Sequence, residues 1–125
     1  MIPVERLRFV VDRLLEKSKK DEVLWFDAGT EYGVNEYKII FDGASLGIGY
    51  FAPDTEPDSI TLWVYNASKE LVTRWMVSDG EPDWASVREL YLEAQRSVTK
   101  WDKTLGSIEK ALESEGPVGN EPFPF

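Results

Sequence analysis

The sequence predicts an α+β domain with an N-terminal helix, a five-stranded antiparallel meander and a long C-terminal amphipathic helix packed on one sheet face. Apolar residues recur at helical spacing near both ends of the chain, and the middle contains five short runs rich in β-branched and aromatic residues. Short connections favour antiparallel pairing, because parallel strands need long crossovers. The 125 residues fit one domain. We assign residues 1–116 to this domain and residues 117–125 to a tail containing proline and phenylalanine.

The first helix is predicted over residues 3–18. Pro3 suits the first helical turn, where its missing N–H is not needed. Val4, Leu7 and Val11 begin an apolar stripe that continues to Leu14 at spacings of three and four residues. Such a stripe is typical of a helix with one buried face.

Turn residues separate the predicted strands. Asp42-Gly43 is a two-residue hairpin signal, and residues 66–69 form a second polar turn. Gly47 and Gly49 lie inside a strand, which indicates a bulge or the close approach of another backbone, and we expect a helix to pack over them. The strands are predicted over residues 23–27, 36–41, 46–51, 59–66 and 70–77.

The last helix is predicted to run without interruption over residues 84–112, with Asp83 as its N-cap. Its length is then roughly 42 Å, whereas a strand of about six to eight residues spans roughly 20–26 Å. The helix must therefore overhang the sheet. Its overhanging apolar stripe packs on the first helix, on a second copy in a homodimer or on a different protein. The predicted oligomer surface consists of Trp101, Leu105, Ile108 and Leu112.

The chain is acidic, with 23 carboxylates against 14 lysines and arginines and a net charge of −9. This balance argues against nucleic acid and anionic membranes as partners, because both are bound by basic residues. It is compatible with a basic protein partner or a cation, and it also favours solubility. The absence of cysteine and of a signal-peptide pattern at the N-terminus predicts a cytoplasmic protein.

The residue types present restrict the chemistry. The chain has no histidine and no cysteine, which excludes Ser-His-Asp and Cys-His catalysis and the usual zinc sites. No glycine-rich phosphate loop follows a strand. Carboxylate chemistry, alone or with Mg²⁺, remains, but its candidates lie on predicted exposed loops, where it is hard for burial to drive two carboxyl pKa values apart. We therefore predict a protein without enzyme activity and without a cofactor.

A meander brings the first and third strand connections and the exit of the fifth strand to one end of the sheet. Residues 54–58 and 79–83 repeat the pattern Asp-x-Glu-Pro-Asp there. Three interpretations are open: turn and cap chemistry, a docking surface for a basic partner, or a Ca²⁺ or Mg²⁺ site lacking the glycine and distal glutamate of a full calcium loop. This acidic rim comprises Asp27, Glu31, Glu36, Asp54, Glu56, Asp58, Asp79, Glu81 and Asp83, of which the last six are the predicted partner-binding residues.

Aromatic residues mark two further candidates. Trp63, Tyr65 and Trp75 line a ligand pocket if the second sheet face is open, or otherwise make ordinary core and cross-strand contacts. Phe123 and Phe125 are separated by a proline in the tail. They form a candidate linear motif, with a disordered tail as the alternative.

Two groups of residues carry a family resemblance: Leu14, Leu15, Glu16, Lys17, Ser18 and Trp25 near the start, and Leu90, Tyr91, Ala94, Arg96, Asp102, Lys103, Leu105, Ile108 and Leu112 near the end. With these residues the chain resembles a group of short uncharacterised bacterial proteins. Their layout is a leucine-rich helix, a tryptophan-containing strand, a meander and a long C-terminal helix. The resemblance implies this layout and no activity.

These features predict a small acidic interaction module that docks a basic partner, as an immunity or antitoxin protein docks a nuclease-like toxin. One alternative is a protein that binds a divalent cation or a small molecule through the acidic rim or the aromatic sheet face. The other alternative is a self-assembling structural protein that uses the overhanging helix.

Overall fold

The computed structural model describes residues 3–29, 35–100, 104–114 and 116–117. Its helices and strands confirm the α+β class. In the described part of the chain, no helix combines the length and the apolar character needed to cross a membrane. The elements are α1 (Val4–Lys19), β1 (Phe26–Gly29), β2 (Glu36–Phe41), β3 (Ala44–Phe51), β4 (Ser59–Asn66), β5 (Leu71–Ser78), α2 (Trp84–Val98) and α3 (Thr104–Glu113).

Helix α1 forms where the apolar stripe predicts it. Pro3 occupies the N-cap position, and Leu7, Val11 and Leu14 are buried along one face. Ser18 is also buried on this face, and its Oγ accepts a hydrogen bond from the indole N–H of Trp25 at 3.0 Å. This bond fixes the end of α1 to the segment that enters the sheet.

The five strands pair in the order β1-β2-β3-β4-β5, all antiparallel, which confirms the meander. The β2–β3 hairpin turns at Asp42-Gly43 as predicted, and Gly43 has the positive φ of +81° that this turn requires. Asn66 Oδ1 accepts the backbone N–H groups of Ser68 and Glu70, both at 3.0 Å, and so closes the β4–β5 turn. β1 begins later than predicted, because Trp25 packs into the core before strand pairing starts.

Helices α1 and α2 cover the same face of the sheet and pack against each other. Arg8 bridges to Asp83 near the start of both helices, and Arg96 bridges to Asp21 near their ends, so the two helices run in the same direction. The core between helices and sheet includes Val11, Ile48, Ile60, Leu62, Val77, Val87, Leu90 and Ala94. We call the opposite face of the sheet the outer face.

The continuous C-terminal helix is not confirmed. Helix α2 has 15 residues and α3 has 10, and residues 101–103 between them lie outside the described part of the chain. Thr99 and Lys100 already form a wider, π-type turn. The apolar spacing continues across this interruption, so the sequence pattern alone could not reveal it.

The group that lies over Gly47 and Gly49 is a side chain rather than the expected helix. Pairing places Gly47 opposite Trp63, and both face outward because Leu46 and Ile48 point toward the helices. A Cβ added to Gly49 would lie 3.0 Å from two carbons of the Trp63 ring. The glycines therefore allow this indole to lie close against the strand.

Candidate functional site

The acidic rim lies where the β3–β4 connection meets the β5–α2 connection. The backbone N–H of Asp79 donates to the backbone carbonyl of Asp58 at 2.8 Å, which joins the two Asp-x-Glu-Pro-Asp segments directly. Asp27 accepts the backbone N–H of Gly29 within β1 at 2.8 Å. Glu31 lies outside the described residues. The two repeated segments therefore form one continuous acidic surface.

Two of the six predicted partner-binding carboxylates hold the loops in place. The hydroxyl of Tyr50 donates to Asp58 Oδ2 at 2.6 Å, and this bond raises the pKa of Tyr50 above its ordinary value. Glu81 Oε1 accepts the backbone N–H of Ser78 at the exit of β5. Both contacts agree with the turn-chemistry interpretation of the rim.

Asp83 has a structural role that differs from the predicted one. It precedes α2, but its side chain makes no cap hydrogen bond. Its carboxylate instead accepts two parallel bonds from the Arg8 guanidinium, with Nε at 2.9 Å from Oδ1 and Nη2 at 3.1 Å from Oδ2. This bidentate geometry ties the start of α2 to α1. Asp83 is thus less available to a partner than its sequence position suggests.

Asp54, Glu56 and Asp79 differ from these three residues. All three are exposed, and none makes a side-chain hydrogen bond or ion pair with another described residue. Over the described ranges, no three carboxylates converge closely enough to hold a metal ion. The arrangement presents separate negative charges on one surface.

A groove on the outer face adjoins this acidic surface. Its volume is about 540 Å³, and Trp63 forms an aromatic wall with its ring centroid 6.3 Å from that of Phe51 in an edge-on arrangement. Glu56 reaches the groove from the β3–β4 connection, and Arg74 lies beside Trp63 as its cross-strand partner. The full lining is Phe51, Ala52, Pro53, Glu56, Ser59, Thr61, Trp63, Arg74 and Met76.

The three aromatic residues singled out in the sequence do not form one pocket. Trp63 lines the groove. Tyr65 lies on the same face of the sheet as Trp63, but its ring contacts Lys38, whose Nζ is 5.4 Å from the centroid of the Tyr65 ring. Trp75 points to the opposite face and packs against the core. Alternation along β4 and β5 predicts these directions, but Phe51, Pro53 and Arg74 enter the groove only through strand pairing.

Three tyrosines form a cluster between α2 and the sheet, with Tyr37 and Tyr91 buried and Tyr50 partly buried. The rings of Tyr37 and Tyr50 both contact that of Tyr91, with centroids 5.4 and 5.3 Å away. Burial raises the pKa of Tyr91 to about 12, and the nearby Tyr37 adds to the shift. The Tyr91 hydroxyl donates to the backbone carbonyl of Asn35 at 3.3 Å, which connects α2 to the start of β2.

The predicted oligomer surface falls on α3 and the segment before it. Leu105, Ile108 and Leu112 are exposed, and no residue of α3 is buried. Trp101 lies outside the described residues, as do Phe123 and Phe125 of the tail.

Searches against protein-family models, curated proteins and solved structures find no match for this chain. The resemblance to short bacterial proteins therefore stays a prediction.

Proposed function

We propose that this protein is a non-enzymatic interaction module that binds a basic segment of a partner protein at the acidic surface and the adjoining groove. The observation that supports this most directly is the position of Glu56, which belongs both to the exposed acidic loop and to the aromatic groove. A peptide lying across this boundary places an apolar side chain against Trp63 and its positive charges near Asp54, Glu56 and Asp79.

The physical basis is complementary charge beside an aromatic contact. Asp54 and Glu56 have no ion-pair partner among the described residues, so binding a cation breaks no existing pair. Trp63 offers a rigid aromatic surface, a residue type that often dominates binding energy at interfaces. Opposite charges across an interface also speed association and discriminate between partners.

The test is binding of a library of lysine- and arginine-rich peptides, each with one central aromatic or leucine residue, measured by fluorescence anisotropy. We expect the best peptides to lose about tenfold in affinity when Asp54→Asn and Glu56→Gln are combined. Trp63→Ala removes the aromatic wall and is expected to weaken the same peptides.

A variant with equal net charge controls this experiment. Asp12→Asn with Glu22→Gln neutralises two other exposed carboxylates and should leave peptide affinity unchanged. Equal weakening in both double variants would mean that net charge alone attracts the peptides. Absence of binding by every peptide in the library would contradict the proposal.

The groove also favours a second candidate, a site for a small aromatic molecule. Its volume of about 540 Å³ falls in the range of roughly 300–1,000 Å³ found for ligand pockets. Trp63→Ala should weaken the binding of either ligand, whereas neutralising Asp54 and Glu56 should weaken only the binding of the basic peptide. A screen of small aromatic compounds against both variants separates the two candidates.

A further inference from the structure

Helix α3 carries an apolar stripe that the rest of the described chain does not cover. Leu105, Ile108 and Leu112 are spaced by three and four residues, so they lie on one face of the helix. Their exposed fractions are 45%, 49% and 63%. Glu109 and Glu113 follow along one flank of this stripe, as the rotation of about 100° per helical residue requires.

A second uncovered apolar surface lies between α1 and the β2–β3 hairpin. We call it the α1 groove. It has a volume of about 790 Å³, and its lining is mainly apolar. Phe9 and Phe41 stand at its edges with exposed fractions of 62% and 44%. Its floor and walls include Leu7, Val10, Leu14, Leu46 and Val64.

The charges around the α1 groove are opposite to those of the molecule as a whole. Arg6, Arg13 and Lys17 line it from one flank of α1, against the single carboxylate of Glu5. Arg13 also lies 3.6 Å from Glu16, an exposed pair that contributes little. The chain as a whole has a net charge of −9, but these three basic residues make this edge of the α1 groove positive. The edge is therefore complementary in charge to Glu109 and Glu113 on the flank of α3.

The lengths of the two surfaces also agree. Glu5 and Lys17 are about 18 Å apart along α1, and the ten residues of α3 cover about 15 Å. The apolar stripe of α3 can therefore run along the α1 groove with both of its ends in contact.

The short connection between α2 and α3 disfavours docking of α3 into the α1 groove of its own chain. Lys100 Nζ lies 3.1 Å from Asp21 Oδ2, which holds the end of α2 beside the end of α1. Arg8 contacts α2 from the flank of α1 opposite to the groove. Because α1 lies between α2 and the groove, the axis of a helix in the groove is two helix-packing distances, about 16–20 Å, from the axis of α2. The three residues between Lys100 and Thr104 span at most about 14 Å.

We propose that the chain forms a two-fold dimer in which α3 of each copy lies in the α1 groove of the other. The two contacts are equivalent, as an isologous dimer requires. A stable dimer buries about 1,200–2,000 Å² in total, so each contact supplies about half of that area. This dimer does not depend on the acidic surface or on the groove beside Trp63.

The test is the mass of the full chain by sedimentation equilibrium, supported by circular dichroism to confirm folding. We expect a dimer for the wild type and a monomer for Leu105→Asp with Ile108→Asp. Phe9→Asp with Phe41→Asp should also give a monomer. All four side chains are exposed, so these changes leave the core intact. Leu71→Asp with Val72→Asp, at two positions of β5 with exposed fractions of 54% and 51%, also adds two carboxylates; it is the matched control and should stay dimeric.

Mixing the two monomeric variants distinguishes this dimer from other arrangements. Each mixed pair retains one intact contact, formed by a normal α3 and a normal α1 groove, so we expect a heterodimer weaker than the wild-type dimer. A wild-type chain that stays monomeric up to millimolar concentration would overturn the proposal. So would a Phe9→Asp, Phe41→Asp variant that remains dimeric, because α3 would then pair with something other than the α1 groove.

Discussion

The indole N–H of Trp25 is buried, and the hydroxyl of Ser18 accepts its hydrogen bond. Removing this acceptor leaves a buried donor without a protein partner, which costs about 1–2 kcal/mol. We therefore expect Ser18→Ala to lower the free energy of unfolding by this amount in urea denaturation. Ser107→Ala makes the same change at an exposed helical position and should alter stability by less than about 0.5 kcal/mol. Equal stabilities of the two variants would show that the bond contributes nothing net.

Gly49 allows Trp63 to form the aromatic wall of the groove on the outer face of the sheet. An added Cβ would lie 3.0 Å from two carbons at the tip of the indole, so the ring must move in Gly49→Ala. We expect a loss of about 1–2 kcal/mol in unfolding free energy and a shifted indole resonance of Trp63 in NMR spectra. Gly47→Ala is the control, since its Cβ meets the same ring at an ordinary 3.6 Å. An unmoved Trp63 resonance in Gly49→Ala would contradict this account.

At the scale of elements, Tyr91 makes the packing of α2 on the sheet sensitive to alkali. Its pKa is raised to about 12 in the folded chain by burial, whereas an unfolded tyrosine titrates near 10. The contribution of the neutral Tyr91 side chain to the free energy of unfolding is therefore fully present below about pH 10. It is lost as the pH rises toward 12, by about 2–3 kcal/mol in total.

The measurement is the free energy of unfolding in urea between about pH 9 and 12. Tyr91→Phe cannot ionise at this position, so its stability should fall less over this range. Parallel pH profiles for the wild type and Tyr91→Phe would show that other groups dominate alkaline unfolding.

Periodicity and turn residues predict most of the elements because both are local signals. The bounds of β2 and β4 agree with the predicted strands, and the Asp42-Gly43 turn lies where expected. The interruption after Val98 escapes prediction because the apolar spacing continues through it.

The site is harder to predict because it depends on contacts that are distant in sequence. Asp83 reads as a helix cap but binds Arg8, which is 75 residues away. Glu56 and Arg74 become neighbours of Trp63 only when β3, β4 and β5 are paired. The repeated acidic pattern marks the correct end of the sheet, but it does not show which carboxylates have internal partners.

At the scale of the whole molecule, charge is distributed unevenly. The net charge of −9 creates self-repulsion in the folded state. The ion pairs between the helices, such as Arg8–Asp83 and Arg96–Asp21, are partly exposed, and pairs that water reaches contribute little to stability. Salt screens both kinds of interaction. It therefore weakens the repulsion among the excess carboxylates more than it weakens the attraction within these few ion pairs.

Sodium chloride should consequently raise the stability of the fold while weakening partner binding. We expect the Tm to increase between low and moderate salt, because screening removes more repulsion than attraction. Over the same range, the association rate of a basic peptide at Asp54 and Glu56 should fall, because opposite charges steer the encounter. Calorimetric melting and stopped-flow fluorescence on the same samples measure both quantities. A Tm that falls with salt would show that the interhelical ion pairs dominate, and a salt-independent association rate would place the basic partner away from the acidic surface.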